Sequence, residues 1–327
     1  MIGPGASVLL GYSLDLFAGE PSEAWHPVCW MGKIVDLADW AMPGRERSGP
    51  KQRLAGAVVA TTLPIATYLG TRKVIRILPQ PFSGLAEIVL MSTALAPRAL
   101  YERALRVEDS LFMSVAEGRE QVAGMVGRDT KELDEDGIVR AAVESIAENA
   151  NDGVMAPLFY GLIGGAPLAL AYKMVNTMDS MIGYRDLKYL YFGWAAARLD
   201  DAAGFIPARL TALAVAAVSP VAGGNAAGAI SVWHRDAGLH ESPNAGVCEA
   251  AYAGALDVRL GGDAYYSGTL VEKVELGAGL ALPEREDISR AARLMYASSA
   301  LLLALGIIFR MVVWICRWRM ARRGGRG

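Results

Sequence analysis

The 327-residue sequence has little charge and few residues that suit a transition-metal site. Charged residues make up 20% of the chain, against about 25% in a typical soluble domain, and the mean hydropathy is +0.27. The net charge of −2 gives no general electrostatic attraction to nucleic acid. None of the three cysteines, Cys29, Cys248 and Cys316, has the spacing of a metal-binding pair, so we interpret them as free thiols.

Two common nucleotide-binding signatures are also missing. The sequence contains no G-x-x-x-x-G-K-[ST] phosphate loop and no G-x-G-x-x-G dinucleotide fingerprint. His234 and His240 are six residues apart, a spacing that does not place two ligands on one helical face. Any nucleotide must therefore bind through another arrangement, and a transition-metal site is not expected.

What the sequence does have is a set of long apolar runs with almost no strand-like alternation. Residues 1–19 lack the basic start of a secretory signal and carry Asp15 within the run, which favours a spanning or interface segment. We predict an all-α, polytopic integral membrane helical bundle that forms a single domain over residues 1–327. A soluble all-α protein with buried helices is the alternative. Five further segments approach the roughly 20 residues needed to cross a bilayer: 54–70, 83–100, 154–178, 205–222 and 296–316.

The connecting segments are shorter and more polar. Residues 42–50 and 71–82 are predicted to be connectors, because each contains prolines or glycines beside polar residues. The last segment, 317–327, holds five arginines and no acidic residue. By the positive-inside tendency we expect this basic tail to be cytoplasmic in a multi-pass protein of the cell membrane.

The sequence Gly164-Gly165-Ala166-Pro167 interrupts one apolar run near its middle. Two short helices on either side of this break could enter the bilayer and return as a re-entrant hairpin, provided that protein covers the broken backbone. Such a hairpin would place residues 144–153 and 176–201 on the same side. The position of residues 223–293 stays open, because 205–222 would have to turn back or the site would have to lie deep in the bundle.

Three polar insertions, 101–153, 179–204 and 223–293, contain most of the candidate site residues. In the first insertion, Glu144 and Glu148 are four residues apart, so both lie on one stripe of a helix. Neighbouring carboxylates repel each other unless they hold a cation, and oxygen ligands suit Mg²⁺. The alternative is a solvated helix face with an ion pair between a glutamate and Arg140.

A second constellation surrounds Lys173, which lies within or beside an apolar segment. A buried unpaired ammonium is costly, so this lysine is a functional candidate, although it could also reach the membrane interface. Asn176, Asp179 and Gly183 follow at spacings of three and four residues, which predicts a polar groove on one helical face.

Further candidates follow in the next two insertions. Asp200 and Asp201 are adjacent and could bind a metal or cap the next helix, the cap being the simpler interpretation. The segment from His240 to Gly246 has the composition of an ordered turn, and its neutral groups could orient a substrate amide or phosphate.

Taken in order, these motifs resemble the CobD/CbiB family of cobalamin biosynthesis, the adenosylcobinamide-phosphate synthases. The resemblance extends over nearly the whole chain, and the departures at Ala150-Asn151 and Cys248 remove no obvious catalytic group. The residues that carry the resemblance are His26-Pro27-Val28, Arg140, Glu144, Glu148-Asn149, Asp152-Gly153, the run from Tyr172 to Arg185, Arg198, Asp200-Asp201, Arg209, His240 to Gly246, Glu249 and Leu260-Gly261-Gly262.

The resemblance implies a membrane enzyme that joins adenosylcobyric acid to (R)-1-amino-2-propanol phosphate, or to aminopropanol, through an amide bond. ATP as co-substrate and Mg²⁺ are the expected requirements, and the product would be adenosylcobinamide phosphate. The expected partners are these substrates, the lipid bilayer and other enzymes of the cobalamin pathway, with no nucleic acid. A corrinoid transporter is one alternative, although we find no internal repeat, and a non-catalytic scaffold of the pathway is the other.

The resemblance also suggests roles for individual residues. Lys173, Asp179 and His240 are the expected catalytic residues, with His240 the first candidate for the base that deprotonates the incoming amine and Asp179 the second. Lys173 would also face phosphate. The expected Mg²⁺ ligands are Glu144, Glu148, Asp152, Asp200 and Asp201. The expected phosphate and corrin contacts are Arg185, Arg198, Arg209, Asn149, Asn176 and Asn244.

Overall fold

The computed structural model describes residues 3–41, 49–184 and 188–324, and 75% of the chain is helical. The prediction of an all-α fold is confirmed. The helices are α1 Pro4–Ala18, α2 Pro27–Trp40, α3 Pro50–Ile77, α4 Phe82–Ser92, α5 Pro97–Met113, α6 Val115–Ala123, α7 Glu135–Asn149, α8 Ala156–Ile182, α9 Trp194–Val218, α10 Ala226–Asp236, α11 Ala245–Leu256 and α12 Glu286–Gly324.

The remaining regular structure is short. Two antiparallel pairs of strands lie between α11 and α12, with β1 (Leu260–Gly261) paired to β4 (Glu275–Leu276) and β2 (Ala264–Tyr266) paired to β3 (Thr269–Val271). A π-helical turn, Ala150–Met155, connects α7 to α8. These pairs are too short to form a sheet core, so the packing is that of a helical bundle.

Four helical segments are long and apolar enough to cross a membrane: Pro50–Ile77, Glu135–Ile182, Trp194–Val218 and Glu286–Trp318. In the most apolar window of the first and the last, only 11% of the residues are buried. Such large outward-facing apolar surfaces are costly in water and favourable in lipid. The predicted membrane-embedded bundle is therefore supported by the fold. The basic residues that follow Cys316 continue α12 as far as Gly324.

Two boundaries differ from the sequence prediction. Residues 83–100 do not form one spanning helix, because α4 has 11 residues and covers only about 16 Å, half of a bilayer core. The break follows from Pro97, which disfavours helical backbone at Ala96. The predicted connector 71–82 is also wrong over its first half, because residues 71–77 contain no proline or glycine and continue α3 to Ile77, just before two prolines.

Gly165 reverses the direction of the chain inside α8. Its backbone angles, φ 71° and ψ −166°, belong to a region that essentially only glycine adopts. The rings of Tyr160 and Tyr172 stack with their centroids 5.1 Å apart, whereas an unbroken helix would separate them by about 18 Å along its axis. The predicted break at this position is confirmed, and it forms a hairpin with arms at 156–164 and 166–182.

The tip of this hairpin is held against α4 and α1. A side chain at Gly165 would come within 2.6 Å of Oε1 of Glu87, a buried residue of α4. The hydroxyl of Ser7 in α1 donates a hydrogen bond of 3.3 Å to the same oxygen. On the first arm, the hydroxyl of Tyr160 donates to the carbonyl oxygen of Ala203 at 2.9 Å and joins the hairpin to α9. The broken backbone is therefore covered by protein, as a re-entrant segment requires.

Helices α10 and α11 fold back along α9 and bring the third polar insertion to the site. The two helices approach closely, since a Cβ at Gly254 would lie 2.1 Å from the carbonyl oxygen of Gly228. Helix α11 also packs on α7, and β1 follows it onto the same helix. Residues 223–293 therefore reach the first two insertions, which answers the question of position that the sequence left open.

Candidate active site

One face of α7 and the π-helical turn carries carboxylates into two neighbouring clusters. Glu144 and Glu148 lie four residues apart on α7, as the predicted stripe requires, and Asp152 follows four residues later in the π-helical turn. Helical turns of the π type are rare and occur often at functional sites. We call the surroundings of the first residue the Glu144 cluster and those of the last the Asp152 cluster. Glu148 lies between them and interacts electrostatically with both Glu144 and Asp152.

The Asp152 cluster forms because the hairpin returns its second arm to the π-helical turn. Oδ1 of Asp152 accepts hydrogen bonds from Asn151 Nδ2 at 2.7 Å and from the Tyr172 hydroxyl at 3.4 Å. Oδ2 accepts from Asn176 Nδ2 at 3.2 Å. Lys173 Nζ donates to the carbonyl oxygen of Asp152 at 3.3 Å and to Oδ1 of Asn176 at 3.1 Å. The lysine therefore points into the protein and does not reach for the membrane interface.

The first helical turns of α9 add more carboxylates to this cluster. Oδ1 of Asp200 is buried and has no hydrogen-bond partner among the residues that the structure describes. The carboxylates of Asp152, Asp179 and Asp201 are close enough to repel its charge. A buried acceptor without a partner, among like charges, is suited to a cation or to a ligand that brings donors.

The simpler interpretation of Asp200 and Asp201 as helix caps is wrong. Helix α9 begins at Trp194, so both aspartates lie in its second turn. Asp201 Oδ2 instead pairs with Nη1 of Arg198 at 3.2 Å, on an exposed surface where such pairs contribute little to stability.

In the Glu144 cluster the carboxylate is already fully engaged. Glu144 Oε1 accepts a 2.5 Å hydrogen bond from the backbone N–H of Gly261, and Oε2 forms a buried ion pair with Arg128. The expected ion pair with Arg140 is not formed, because the Arg140 side chain extends towards the carbonyl oxygen of Asp263. Glu144 is therefore the least suitable metal ligand of the predicted set.

A cavity of about 160 Å³ opens beside this ion pair. Glu148 is exposed to it, and Lys273 lies on its wall with Nζ donating a 2.6 Å hydrogen bond to the Tyr266 hydroxyl. The lining also includes His240 and Glu249 from the third insertion. Acid, base and ammonium groups thus converge on one small cavity.

His240 and Glu249 are the titratable pair of this cavity, with Nε2 and Oε1 3.8 Å apart. Burial lowers the pKa of His240, which favours a neutral ring. Burial and the neighbouring carboxylates Glu144 and Glu148 raise the pKa of Glu249 well above its usual value. Nδ1 of His240 lies 3.0 Å from the amide nitrogen and 3.2 Å from the carbonyl oxygen of Ser242, so either neutral tautomer has a partner there.

Some of the predicted asparagine and arginine residues lie in the site, whereas others bind neighbouring helices together. Asn176 belongs to the Asp152 cluster, whereas Asn149 donates back to the carbonyl oxygen of Ser145 at 2.9 Å. Asn244 links two elements, since its Nδ2 donates to the Asp201 carbonyl oxygen and its Oδ1 accepts from Arg209, both at 2.9 Å. Arg185 lies outside the described residues.

The metal prediction can be compared with the donor groups present. In residues 3–41, 49–184 and 188–324, no three His, Cys, Asp or Glu side chains converge as a ready-made metal site. Mg²⁺ is commonly held by only one or two carboxylates together with water and substrate phosphates. Asp200, with its unpartnered oxygen, and the neighbouring Asp152 fit that arrangement.

Sequence reasoning missed several residues that complete the site. Arg128 and Lys273 come from segments whose position in space no helical periodicity fixes. Tyr172 precedes Lys173 inside an apolar run. A phenol next to a lysine in such a run indicates a polar site inside the bundle, and this signal could have identified Tyr172. Glu249 lies three residues after the turn from His240 to Gly246 and could have been paired with that histidine.

We expect the buried ion pair of the Glu144 cluster to matter for stability. Replacing Arg128 with methionine would leave the Glu144 carboxylate buried without its partner, at a cost of about 3–5 kcal/mol. Thermal unfolding in detergent should show a large loss for Arg128→Met and recovery of most of it in Arg128→Met/Glu144→Gln. The matched control is Arg259→Met, which breaks the much more exposed pair with Glu275 and should cost less than about 1 kcal/mol. Equal losses for the two single variants would contradict this account of the pair.

Comparison with known proteins identifies the family of the chain. The sequence profile of the family described as CobD/Cbib protein matches residues 8–295. The chain belongs to the CobD/CbiB family. The family assignment therefore covers α2, both arms of the hairpin and all three polar insertions.

Individual relatives agree with this assignment over nearly their whole length. A protein of Geobacter metallireducens named cobalamin biosynthesis protein CobD is 40% identical over 319 residues, which are 96% of this chain and 99% of that protein. Proteins of the same name from Citrobacter koseri and Clostridium perfringens are 40% and 37% identical and cover 93% and 94% of this chain, and 97% and 98% of their own lengths. No solved structure matches this chain significantly.

Proposed function

We propose that this protein catalyses an ATP-dependent step of cobalamin biosynthesis, in which adenosylcobyric acid is joined to (R)-1-amino-2-propanol phosphate or to aminopropanol. The product of the first pair is adenosylcobinamide phosphate. The observation that carries the proposal is the return of Lys173 to the carboxylates of Asp152 and Asp200 by the hairpin of α8. In a member of the CobD/CbiB family, that arrangement supplies the charges a phosphoryl transfer to a carboxylate requires.

The chemistry sets what the site has to do. A carboxylate is a poor acyl donor because an oxide would have to leave, so ATP first transfers its γ-phosphoryl group to a carboxylate oxygen and releases ADP. The free amine then attacks the carbonyl carbon, the bond from that carbon to the phosphorylated oxygen breaks, and inorganic phosphate leaves. The amine must lose the proton of its ammonium form before it attacks, so one base is needed near the acyl carbon.

The Asp152 cluster is assigned to the phosphate side of this reaction. Lys173 would contact the transferred phosphoryl group, and Asn176 holds the lysine by accepting a hydrogen bond from its Nζ at 3.1 Å. Mg²⁺, when bound, would offset the charge of the phosphates. Asp152 and Asp200 would hold it, with Glu148 and Asp201 as further candidates. Arg198 and Arg209 lie on α9 and would face phosphate at the open side of the cluster.

The Glu144 cluster is assigned to the amine. When Nδ1 of His240 donates to the Ser242 carbonyl oxygen, Nε2 keeps its lone pair and faces the cavity wall formed by Glu249. The lowered pKa of His240 keeps this lone pair available at neutral pH. Asp179 is the second candidate for the base. Asn149 and Asn244 would bind the amide-rich edge of the corrin.

The test is amide formation by the purified protein in lipid nanodiscs. It receives adenosylcobyric acid, aminopropanol phosphate and Mg²⁺, with and without ATP, and the products are identified by mass spectrometry. The proposal predicts adenosylcobinamide phosphate only when ATP is present, and aminopropanol in a parallel reaction decides which amino alcohol is preferred. Corrin binding without product would favour the scaffold, and uptake of corrin into sealed vesicles without product would favour the transporter.

A further inference from the structure

His26 presents a buried hydrogen-bond donor that no described part of the protein uses. It is the N-cap residue of α2, and its Nδ1 accepts a 3.2 Å hydrogen bond from the backbone N–H of Val28. Because Nδ1 must keep its lone pair to accept this bond, the proton of the neutral ring lies on Nε2. The cap therefore fixes the tautomer and makes Nε2 a donor.

This donor is enclosed but has no acceptor. The His26 residue is 8% exposed, and Nε2 is buried without a hydrogen-bond partner within the described residues. Leaving a buried N–H without an acceptor is unfavourable, so native proteins rarely keep one unless water or a ligand satisfies it. Glu20 is close enough to interact with the ring by its charge, but it is exposed and makes no hydrogen bond to it.

The position of His26 connects it with the Asp152 cluster. Helix α2 packs on α8, and the Lys173 ammonium lies close enough to the ring to oppose its protonation. Burial is the main cause that lowers the pKa of His26, which favours the neutral ring with its proton on Nε2. A neutral donor beside an ammonium can share the oxygens of one anionic group without adding a second positive charge.

We propose that His26 Nε2–H donates a hydrogen bond to an anionic oxygen of the ligand that binds against Lys173. The donor is read from the contacts of His26 alone, and only the identity of the ligand rests on the proposed function. The acceptor is an oxygen of a carboxylate or of a phosphate group. Both groups offer the same lone-pair chemistry: adenosylcobyric acid carries the carboxylate, and aminopropanol phosphate and ATP carry phosphate.

Two substitutions separate the cap from the donor. His26→Asn keeps an oxygen where Nδ1 caps Val28 but has no atom at the position of Nε2, and asparagine is a good N-cap. His26→Gln places an amide nitrogen near the position of Nε2 but loses the cap. If the donor binds the ligand, His26→Asn should raise the dissociation constant of the substrate that accepts the hydrogen bond about tenfold or more. His26→Gln should keep that dissociation constant within about threefold of the value for the unchanged protein. If the histidine only caps α2, His26→Gln should be the impaired variant and His26→Asn should bind normally.

A spectroscopic readout tests the donor without turnover. The chain has three histidines, so protein labelled with ¹⁵N-histidine gives few ring signals, and His26→Asn identifies the one that belongs to His26. Cobyric acid and aminopropanol phosphate are added separately. ATP with Mg²⁺ is added as a third probe. We expect one of the three to move the Nε2–H proton of His26 downfield and to slow its exchange with water. A shift with cobyric acid would identify a carboxylate acceptor, and a shift with aminopropanol phosphate or ATP would identify a phosphate acceptor.

The outcomes for this donor and for the proposed reaction are distinct. No change in the His26 signal with any of the three probes would overturn the hydrogen bond, even if the protein forms the amide. A shift of the signal in a protein that forms no amide would sustain the hydrogen bond and refute the proposed reaction.

Discussion

Replacing Lys173 with methionine should lower the rate of amide formation by at least about 100-fold, because a preorganised charge at the transferred phosphoryl group would be lost. Methionine is similar in length and unbranched, so it can occupy the same space without the ammonium. The protein should remain folded and membrane-inserted, since Asp152 keeps its hydrogen bonds from Asn151, Tyr172 and Asn176. The rate is measured at saturating substrates, so that weaker binding does not conceal the effect on the chemical step.

A second lysine provides the control for this experiment. Lys33 lies on α2 and is exposed. Its replacement with methionine removes one positive charge, as Lys173→Met does. Lys33→Met should keep the rate within about twofold of the unchanged protein, since substitutions at exposed positions outside a site usually change stability very little. Normal turnover by Lys173→Met would refute the role assigned to this lysine, whatever the control shows.

Replacing Gly165 with alanine should open or distort the hairpin and remove most of the activity. The backbone at this position costs an alanine about 1–3 kcal/mol of strain, and the new Cβ would also lie 2.6 Å from Glu87 Oε1. Because the hairpin carries Lys173 back to Asp152, a shift of its arms would separate them. We expect a lower unfolding temperature in detergent together with a loss of product that exceeds the loss of folded protein.

The control is Gly70→Ala in α3. Gly70 has no atom within 4 Å of an added Cβ and lies inside a regular helix, where alanine is favoured by about 0.5–1 kcal/mol. Gly70→Ala should therefore be as stable as the unchanged protein or slightly more stable. If Gly165→Ala unfolds and turns over like Gly70→Ala, the chain does not reverse at Gly165 in the way described.

The features that the sequence could predict are those that depend on local pattern. Glycine and proline at 164–167 predicted the hairpin because no side chain tolerates the required backbone angles. The four-residue spacing of Glu144 and Glu148 predicted one polar stripe because helical geometry alone fixes it. Pro97 also predicts a helix break at Ala96, within the predicted span 83–100. The apolar composition of that run favoured an unbroken span instead.

The features that could not be predicted depend on contacts between distant parts of the chain. Arg128 pairs with Glu144 only because a loop folds over α7, and Lys273 enters the cavity on a short strand connection. The π-helical turn after Asn149 has no recognised sequence signal, yet it carries Asp152. Arg140 was expected to pair with a glutamate from spacing alone, and tertiary packing gave that glutamate another partner.

The proposed chemistry also explains why two clusters meet in one site. Phosphoryl transfer requires positive charge and a metal-binding carboxylate, whereas deprotonation of the amine requires a neutral base. Lys173 lies in the Asp152 cluster and His240 in the Glu144 cluster, with Glu148 between them, so the groups for the two steps are adjacent in one site.

The most direct test of ATP-dependent amide formation follows the oxygen atoms of the substrate carboxylate. Adenosylcobyric acid labelled with ¹⁸O in its free carboxylate is incubated with the protein in nanodiscs, ATP, Mg²⁺ and aminopropanol phosphate. The phosphate released and the corrin product are then analysed by mass spectrometry. Our account predicts that one ¹⁸O atom appears in inorganic phosphate for each amide formed, because the phosphorylated carboxylate oxygen leaves with the phosphoryl group. Amide formed without ATP, or amide formed without ¹⁸O in the phosphate, would contradict it.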